Sequence, residues 1–102
     1  MDIESIQAKC RDGKIQWSAH AAARLLQRGI SREDVLSCIN SGEIIEEYPD
    51  YWLNPACLIY GITVKGEVLH VVVGEDDCVH IVTAYHPSPD TFMQDMKTRR
   101  EQ

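Results

Sequence analysis

The sequence lacks the features that would assign it to a membrane, a zinc site or a nucleotide-binding fold. No apolar run approaches the roughly 18 residues of a membrane-spanning helix, and the first ten residues lack the basic flank and apolar stretch of a secretion signal. The four cysteines show no CxxC pair and no Cys/His pair at zinc-ligand spacing. No phosphate-binding glycine loop or nucleophile elbow is present. We therefore expect a cytoplasmic protein with reduced thiols, no membrane association, no metal and no cofactor.

Positive charge is scarce, and the little there is lies near the N-terminus. The net charge is −6, which argues against indiscriminate binding to nucleic acid. Residues 1–32 nevertheless carry six Lys/Arg against three Asp/Glu, whereas residues 33–77 carry one against ten. A basic N-terminal region thus precedes an acidic middle. The length of 102 residues, with no repeat or linker, predicts a single domain over residues 1–102.

Helix-capping residues predict two helices near the N-terminus. Ser18 is a preferred N-cap for a helix over residues 19–28, and Gly29 closes that helix. Ser31 caps a second helix, which ends at Gly42. A further short helix is expected within the first dozen residues. The core-facing residues predicted for the helix over residues 19–28 are Ala22, Leu25 and Leu26.

The middle of the chain predicts strands joined by tight turns. Residues 57–63, 68–74 and 78–85 are rich in β-branched and aromatic side chains, and the half-polar segment 43–48 is a shorter candidate. Ser88 and Pro89 resemble the start of a closing helix that runs through Phe92 and Met96. The predicted fold is α+β: two N-terminal helices packed on a 3–4-stranded, mostly antiparallel sheet, followed by a short C-terminal helix.

A row of basic side chains is predicted on the first long helix. His20, Arg24 and Arg28 recur at i, i+4 and i+8, and at ~100° per residue they drift by only about 80° in total. Two guanidinium groups beside an imidazole can bind a phosphodiester, and the imidazole can transfer a proton. The alternative is a solvated helix face with an ordinary histidine.

His70 interrupts an otherwise apolar strand, where a polar side chain is unfavourable unless it is hydrogen-bonded. It is either a catalytic residue or a satisfied core histidine. A two- or four-residue loop after this strand would place His70 on the face of Thr83 and Tyr85. A three-residue loop would place it with Val82 and Ala84 instead. Tyr85 itself is either an acid in a cleft or a half-buried aromatic.

Five segments in order resemble the bacterial family DUF4258, and the resemblance covers about residues 14–90. They are 17–24 (WSAHAAAR), 27–35 (QRGISREDV), 42–46 (GEIIE), 69–72 (LHVV) and 81–87 (IVTAYHP). The layout of that family is similar to RelE/ParE-like toxins. The resemblance implies a metal-independent endoribonuclease in which a 2′-hydroxyl attacks the adjacent phosphate, with RNA as substrate and a zinc-ribbon or helix-turn-helix antitoxin as partner.

The resemblance also implies roles for individual residues. The implied catalytic residues are His20, His70 and Tyr85. The implied substrate-binding residues are Arg24, Arg28 and Thr83. RelE-like toxins are strongly basic, whereas this chain is acidic. The alternative function is therefore a non-catalytic protein-binding module that uses a sheet edge and the loop carrying Tyr51 and Trp52.

Overall fold

A computed structural model describes residues 1–51 and 55–101 of the chain. The described part contains three helices and five strands. In chain order they are α1 (Ile3–Arg11), β1 (Ile15–Trp17), α2 (Ala19–Gln27), α3 (Arg32–Ser41), β2 (Glu43–Tyr48), β3 (Ala56–Ile62), β4 (Val68–Glu75) and β5 (Val79–Tyr85). The α+β class is confirmed. None of the three described helices has the length and apolar character needed to span a bilayer.

The sheet has the order β1-β5-β4-β3-β2. Strands β2 to β5 pair antiparallel in sequence order, whereas β1 pairs parallel with β5 at the edge. The predicted number of strands, 3–4, was therefore too low, because the prediction did not include residues 15–17 as a strand of the sheet. The apolar strand β4 occupies the centre, as its buried side chains on both faces require.

The three helices pack on one face of the sheet. Ile6 of α1, Leu25 of α2 and Ile39 of α3 join the inward side chains of β3, β4 and β5 in the main core. The helix ends form where the sequence predicts them, with Ser18 and Ser31 as N-caps and Gly29 in a left-handed conformation. Because three helices must share one face, each contributes a narrow buried stripe.

The predicted orientation of Leu26 was wrong. Its side chain is 83% exposed, whereas Ala21 and Leu25 are buried. Neighbouring helix positions differ by ~100°, so a stripe through Ala21 and Leu25 turns Leu26 outward. With Ala21 and Leu25 facing the core, Arg24 lies next to the buried stripe of α2 and is half-buried.

The predicted C-terminal helix is also wrong. Residues 88–101 form turns with one isolated bridge, which joins Phe92 to Arg99. The carboxylate of Asp95 accepts hydrogen bonds from the backbone nitrogens of Lys97 and Thr98 at 2.9 and 3.0 Å. Such side-chain bonds to the local backbone compete with helix formation. The segment instead lies on the sheet face opposite the helices, where it forms a second core with Leu58 and Val72.

Candidate functional site

The side chain of Arg28 joins α2 to the free edge of β5. Its Nη1 donates to the hydroxyl of Thr83 at 3.0 Å and to the carbonyl oxygen of Ala84 at 2.7 Å. This edge is available because β1 pairs with β5 only as far as Ile81. Arg28 therefore satisfies a carbonyl that would otherwise face solvent, and it holds one guanidinium in a fixed position.

His20 and Arg24 extend this arrangement along α2. His20 is exposed and Arg24 is half-buried, and helical spacing places both in one row with Arg28. We name His20, Arg24, Arg28 and Thr83 the α2–β5 surface. Two of its predicted members, Arg28 and Thr83, are in direct contact. The surface concentrates positive charge on a chain whose net charge is −6.

His70 lies on the other face of the sheet, away from the α2–β5 surface. Its side chain is 0% exposed. The rings of Phe92 and Tyr85 meet it edge-on at centroid distances of 4.6 and 5.4 Å. His70 and Tyr85 are directly paired across β4 and β5, which is one of the two groupings that the sequence left open. The structure does not place the imidazole of His70 in an open cleft with His20, and its catalytic role stays a prediction.

The two ring nitrogens of His70 have different surroundings. Nε2 lies 2.7 Å from the carbonyl oxygen of Met96, which can only accept a hydrogen bond, so Nε2 carries the proton of the neutral ring. Nδ1 is buried and has no hydrogen-bond partner within the described residues. Burial lowers the pKa of His70 below its ordinary value, although the Met96 carbonyl and the Glu46 carboxylate act in the opposite direction.

A polar cluster beside His70 was not predicted from the sequence. Glu46 accepts hydrogen bonds from the hydroxyl of Tyr48 at 2.6 Å and from Nε of Arg99 at 2.7 Å. Burial raises the pKa of Tyr48 to about 12, and burial also raises the pKa of Tyr85. Both phenols are therefore protonated at neutral pH. The i, i+2 spacing places Glu46 and Tyr48 on one face of a strand, and this was the only sign of the cluster in the sequence. Arg99 was expected in the predicted C-terminal helix, which does not form.

Tyr48 and Arg99 of this cluster also line an open depression of about 630 Å³. Its lining residues are Glu47, Tyr48, Pro49, Asp50, Tyr51 and Arg99. Tyr51 is exposed, as the aromatic-loop hypothesis requires. Trp52 lies outside the described residues, so its contribution to a docking surface stays a prediction.

The burial of His70 predicts a loss of stability in mild acid. The unfolded chain binds a proton near pH 6.5, whereas the folded state binds it only at lower pH, because the pKa of His70 is lowered. The free energy of unfolding should therefore be highest above about pH 6.5 and fall as the pH drops through the folded pKa. Denaturant titrations of the wild type between pH 7.5 and 5 measure this fall (~0.5 pH steps suffice, given the width of one titration).

His70→Gln should flatten this pH dependence, because glutamine can donate to the Met96 carbonyl and does not titrate. The groups around the ring, Glu46, Tyr85 and Tyr60, remain in this variant. His20→Gln is the matched control on an exposed histidine. Equal slopes in the wild type and His70→Gln would show that His70 does not exclude a proton in the folded state.

Comparison with known proteins identifies one family. The model of a domain of unknown function, DUF4258, matches residues 17–86, which include the α2–β5 surface, His70 and Tyr85. No curated protein and no solved structure matches the chain. The segment 88–101 and the whole of α1 lie outside the match. Since the match covers more than half of the chain, this protein belongs to the DUF4258 family.

Proposed function

We propose that this protein is a cytoplasmic, toxin-type endoribonuclease that cleaves RNA without a metal at the α2–β5 surface. The observation that carries the proposal is the position of Arg28. Its Nη1 is fixed by Thr83 and Ala84, and its other guanidinium nitrogens have no hydrogen bond within the described residues. A guanidinium held in this way can bind a phosphate with little loss of side-chain entropy.

The chemistry assigned to this surface is the transfer of a phosphoryl group within one RNA strand. The 2′-oxygen forms a bond to the adjacent phosphorus, the bond from phosphorus to the 5′-oxygen breaks, and a 2′,3′-cyclic phosphate results. His20 accepts the proton of the 2′-hydroxyl, and the leaving 5′-oxygen takes up a proton from solvent. Arg24 and Arg28 neutralise the charge that develops on the phosphate.

The acidic composition favours a short contact with RNA. The chain has only 10 Lys/Arg against 16 Asp/Glu, so few phosphates can be neutralised and binding should depend weakly on salt. Specificity would then come from one or two nucleotides and not from a long backbone track. An acidic segment of an antitoxin could cover the same cationic surface, which would account for a protein partner.

Arg24→Ala should lower the rate of RNA cleavage by about 10²–10³, the usual effect of removing one group that stabilises transition-state charge. The assay uses purified protein and a mixed-sequence RNA in EDTA, with detection of a 2′,3′-cyclic phosphate end. Arg11→Ala is the matched control, because Arg11 is an exposed arginine at the end of α1. The same comparison during induced expression should show growth arrest for the wild type and Arg11→Ala only.

A 2′-deoxy substitution in the RNA tests the mechanism separately. If the 2′-hydroxyl is the nucleophile, an all-deoxy strand of the same sequence should bind but stay intact. Cleavage of both strands would exclude this reaction. Equal cleavage by Arg24→Ala and Arg11→Ala would remove the α2–β5 surface from the mechanism.

The burial of His70 favours a second function, a non-catalytic module that binds a protein partner. A histidine that is 0% exposed and bonded to Met96 fits a structural role in the second core. In that case the α2–β5 surface would dock an acidic partner segment, and neither growth arrest nor RNA cleavage would accompany expression. The purified-RNA assay separates the two functions directly.

A further inference from the structure

The residues from 88 to 101, here called the strap, cover one face of the sheet without forming a helix or a strand. The strap closes on itself, since the backbone nitrogen of Met93 donates to Thr98 at 2.7 Å and that of Arg100 donates to Thr91 at 2.9 Å. It is therefore a small folded loop with its own internal hydrogen bonds. Such a loop can leave the sheet as one unit without first unfolding.

The strap has one fully buried apolar anchor on the sheet, Phe92, and the half-buried Met96 packs against the same second core. The side chain of Phe92 is 1% exposed and packs against Leu58 and Val72. Its ring also meets the imidazole of His70, while the carbonyl of Met96 accepts the hydrogen bond from Nε2. The strap thus occupies the space directly over the residue that the family resemblance predicts to be catalytic.

The remaining attachments are charged and lie near solvent. Arg99 pairs with Glu46 at 2.7 Å, and Lys97 pairs with Glu43 at 2.9 Å. Lys97 also lies 4.7 Å from the ring centroid of Tyr60. Exposed ion pairs contribute little to stability and weaken further with salt. Met96 holds a left-handed backbone with φ of 58°, which is unfavourable for a residue with a side chain.

The face beneath the strap has the groups that a nucleotide needs. Tyr60 and Tyr85 flank His70 edge-on, so the three rings line an aromatic recess that a base could occupy where Phe92 now lies, stacked on one of the rings. Nδ1 of His70 is an acceptor with no donor inside the described structure. Displacement of the strap would also free Nε2 from the Met96 carbonyl, so that its N–H could be donated to a ligand oxygen instead.

From these contacts we propose that the strap is an autoinhibitory lid, and that its displacement opens a site for one nucleotide of single-stranded RNA over His70, Tyr60 and Tyr85. The proposal rests on the ribonuclease function above. It gives the buried His70 a role in RNA binding, because the opened face receives a base while the α2–β5 surface, on the other face of the sheet, holds a phosphate elsewhere on the same strand. The resting protein would have low activity.

The test compares two double variants that lose the same charge. Lys97→Ala/Arg99→Ala removes both ion pairs of the strap, and Arg11→Ala/Lys65→Ala removes two exposed cations elsewhere. The first readout is carbethoxylation of His70 by diethyl pyrocarbonate, followed by peptide mass spectrometry. We expect the strap variant to react about 10-fold faster than the control, equivalent to ~1.4 kcal/mol of easier opening. Raising the salt from about 0.05 to 0.5 M should accelerate the wild type in the same direction.

The second readout is cleavage of single-stranded RNA by the same proteins. Losing two cations weakens attraction to RNA, so a faster strap variant can be explained only by opening of the site. If His70 reacts equally in the folded strap variant and the control, the strap is not a lid. If the wild type cleaves RNA and His70 becomes reactive in the strap variant, but that variant cleaves no faster than the wild type, the lid does not cover the RNA site. If no protein cleaves RNA although His70 becomes reactive, the ribonuclease function fails and the opening of the strap stands.

Discussion

Replacing Gly61 with alanine should destabilise the fold by about 3 kcal/mol or more, at the upper end of the range for overpacked cores. Gly61 lies in β3 beneath α3, and a Cβ atom there would overlap the carbonyl oxygen of Cys38. The same atom would lie 2.8 and 2.9 Å from the carbonyl carbon and Cα of Cys38. These are backbone atoms of α3, so a change of side-chain rotamer cannot relieve the clash. The helix would have to move away from the sheet.

Gly74→Ala provides the matched control in the neighbouring strand. A Cβ at Gly74 would approach only the carbonyl oxygen of Pro55, at 3.6 Å, which is an ordinary contact. Its free energy of unfolding should stay within about 1 kcal/mol of the wild type, because the gain in backbone rigidity offsets a small packing change. Urea denaturation of both variants measures the difference. Similar midpoints would mean that α3 is not seated tightly on β3.

Local sequence signals predicted the helix ends because those ends depend on short-range bonds. Ser31 and Asp34 form the reciprocal capping box that their spacing indicates, and Gly29 takes the left-handed conformation. Which side of α2 faces the core depends instead on the position of β5, against which the helix packs. The apolar pair Leu25 and Leu26 therefore could not show which leucine would be buried.

The face occupied by His70 shows why register is difficult to predict. The loop between β4 and β5 has three residues, which alone would pair His70 with Ala84. A β-bulge shifts the register at Val82, so His70 pairs with Tyr85 instead. A bulge inserts one residue without a distinct sequence signal. The grouping of His70 with Tyr85 was therefore open at the level of sequence.

Within the candidate site, the sequence could predict which residues lie close together only where a single helix supplies them. The spacing of His20, Arg24 and Arg28 defines a row on α2 without knowledge of the sheet. The bond from Arg28 to Thr83 could not be predicted in this way. It forms because the parallel pairing of β1 with β5 ends at Ile81 and leaves the edge of β5 free at Thr83. The burial of His70 depends on the strap, which lies outside the family match.

Phe92→Ala should remove most of the strap's attachment to the sheet. Truncating a fully buried phenylalanine costs about 3–5 kcal/mol, and this ring fills the second core and contacts His70. We expect the amides in the strap to lose their protection from hydrogen exchange, while those of β3, β4 and β5 keep most of theirs. Met93→Ala is the matched control, since that side chain is 46% exposed, and it should change stability by less than about 0.5 kcal/mol.

Which amides lose protection in Phe92→Ala shows whether the strap is a lid or an integral part of the fold. If the strap can detach by itself, global unfolding starts from the detached state once Phe92 is gone. The fall in global stability is then limited to the free energy that docking of the strap had supplied. If protection instead falls equally in the strap and in β4, the two unfold together, and His70 is held in one continuous core. Hydrogen exchange by mass spectrometry on Phe92→Ala and Met93→Ala separates these cases, because only a detachable strap allows His70 to reach a substrate while the sheet stays folded.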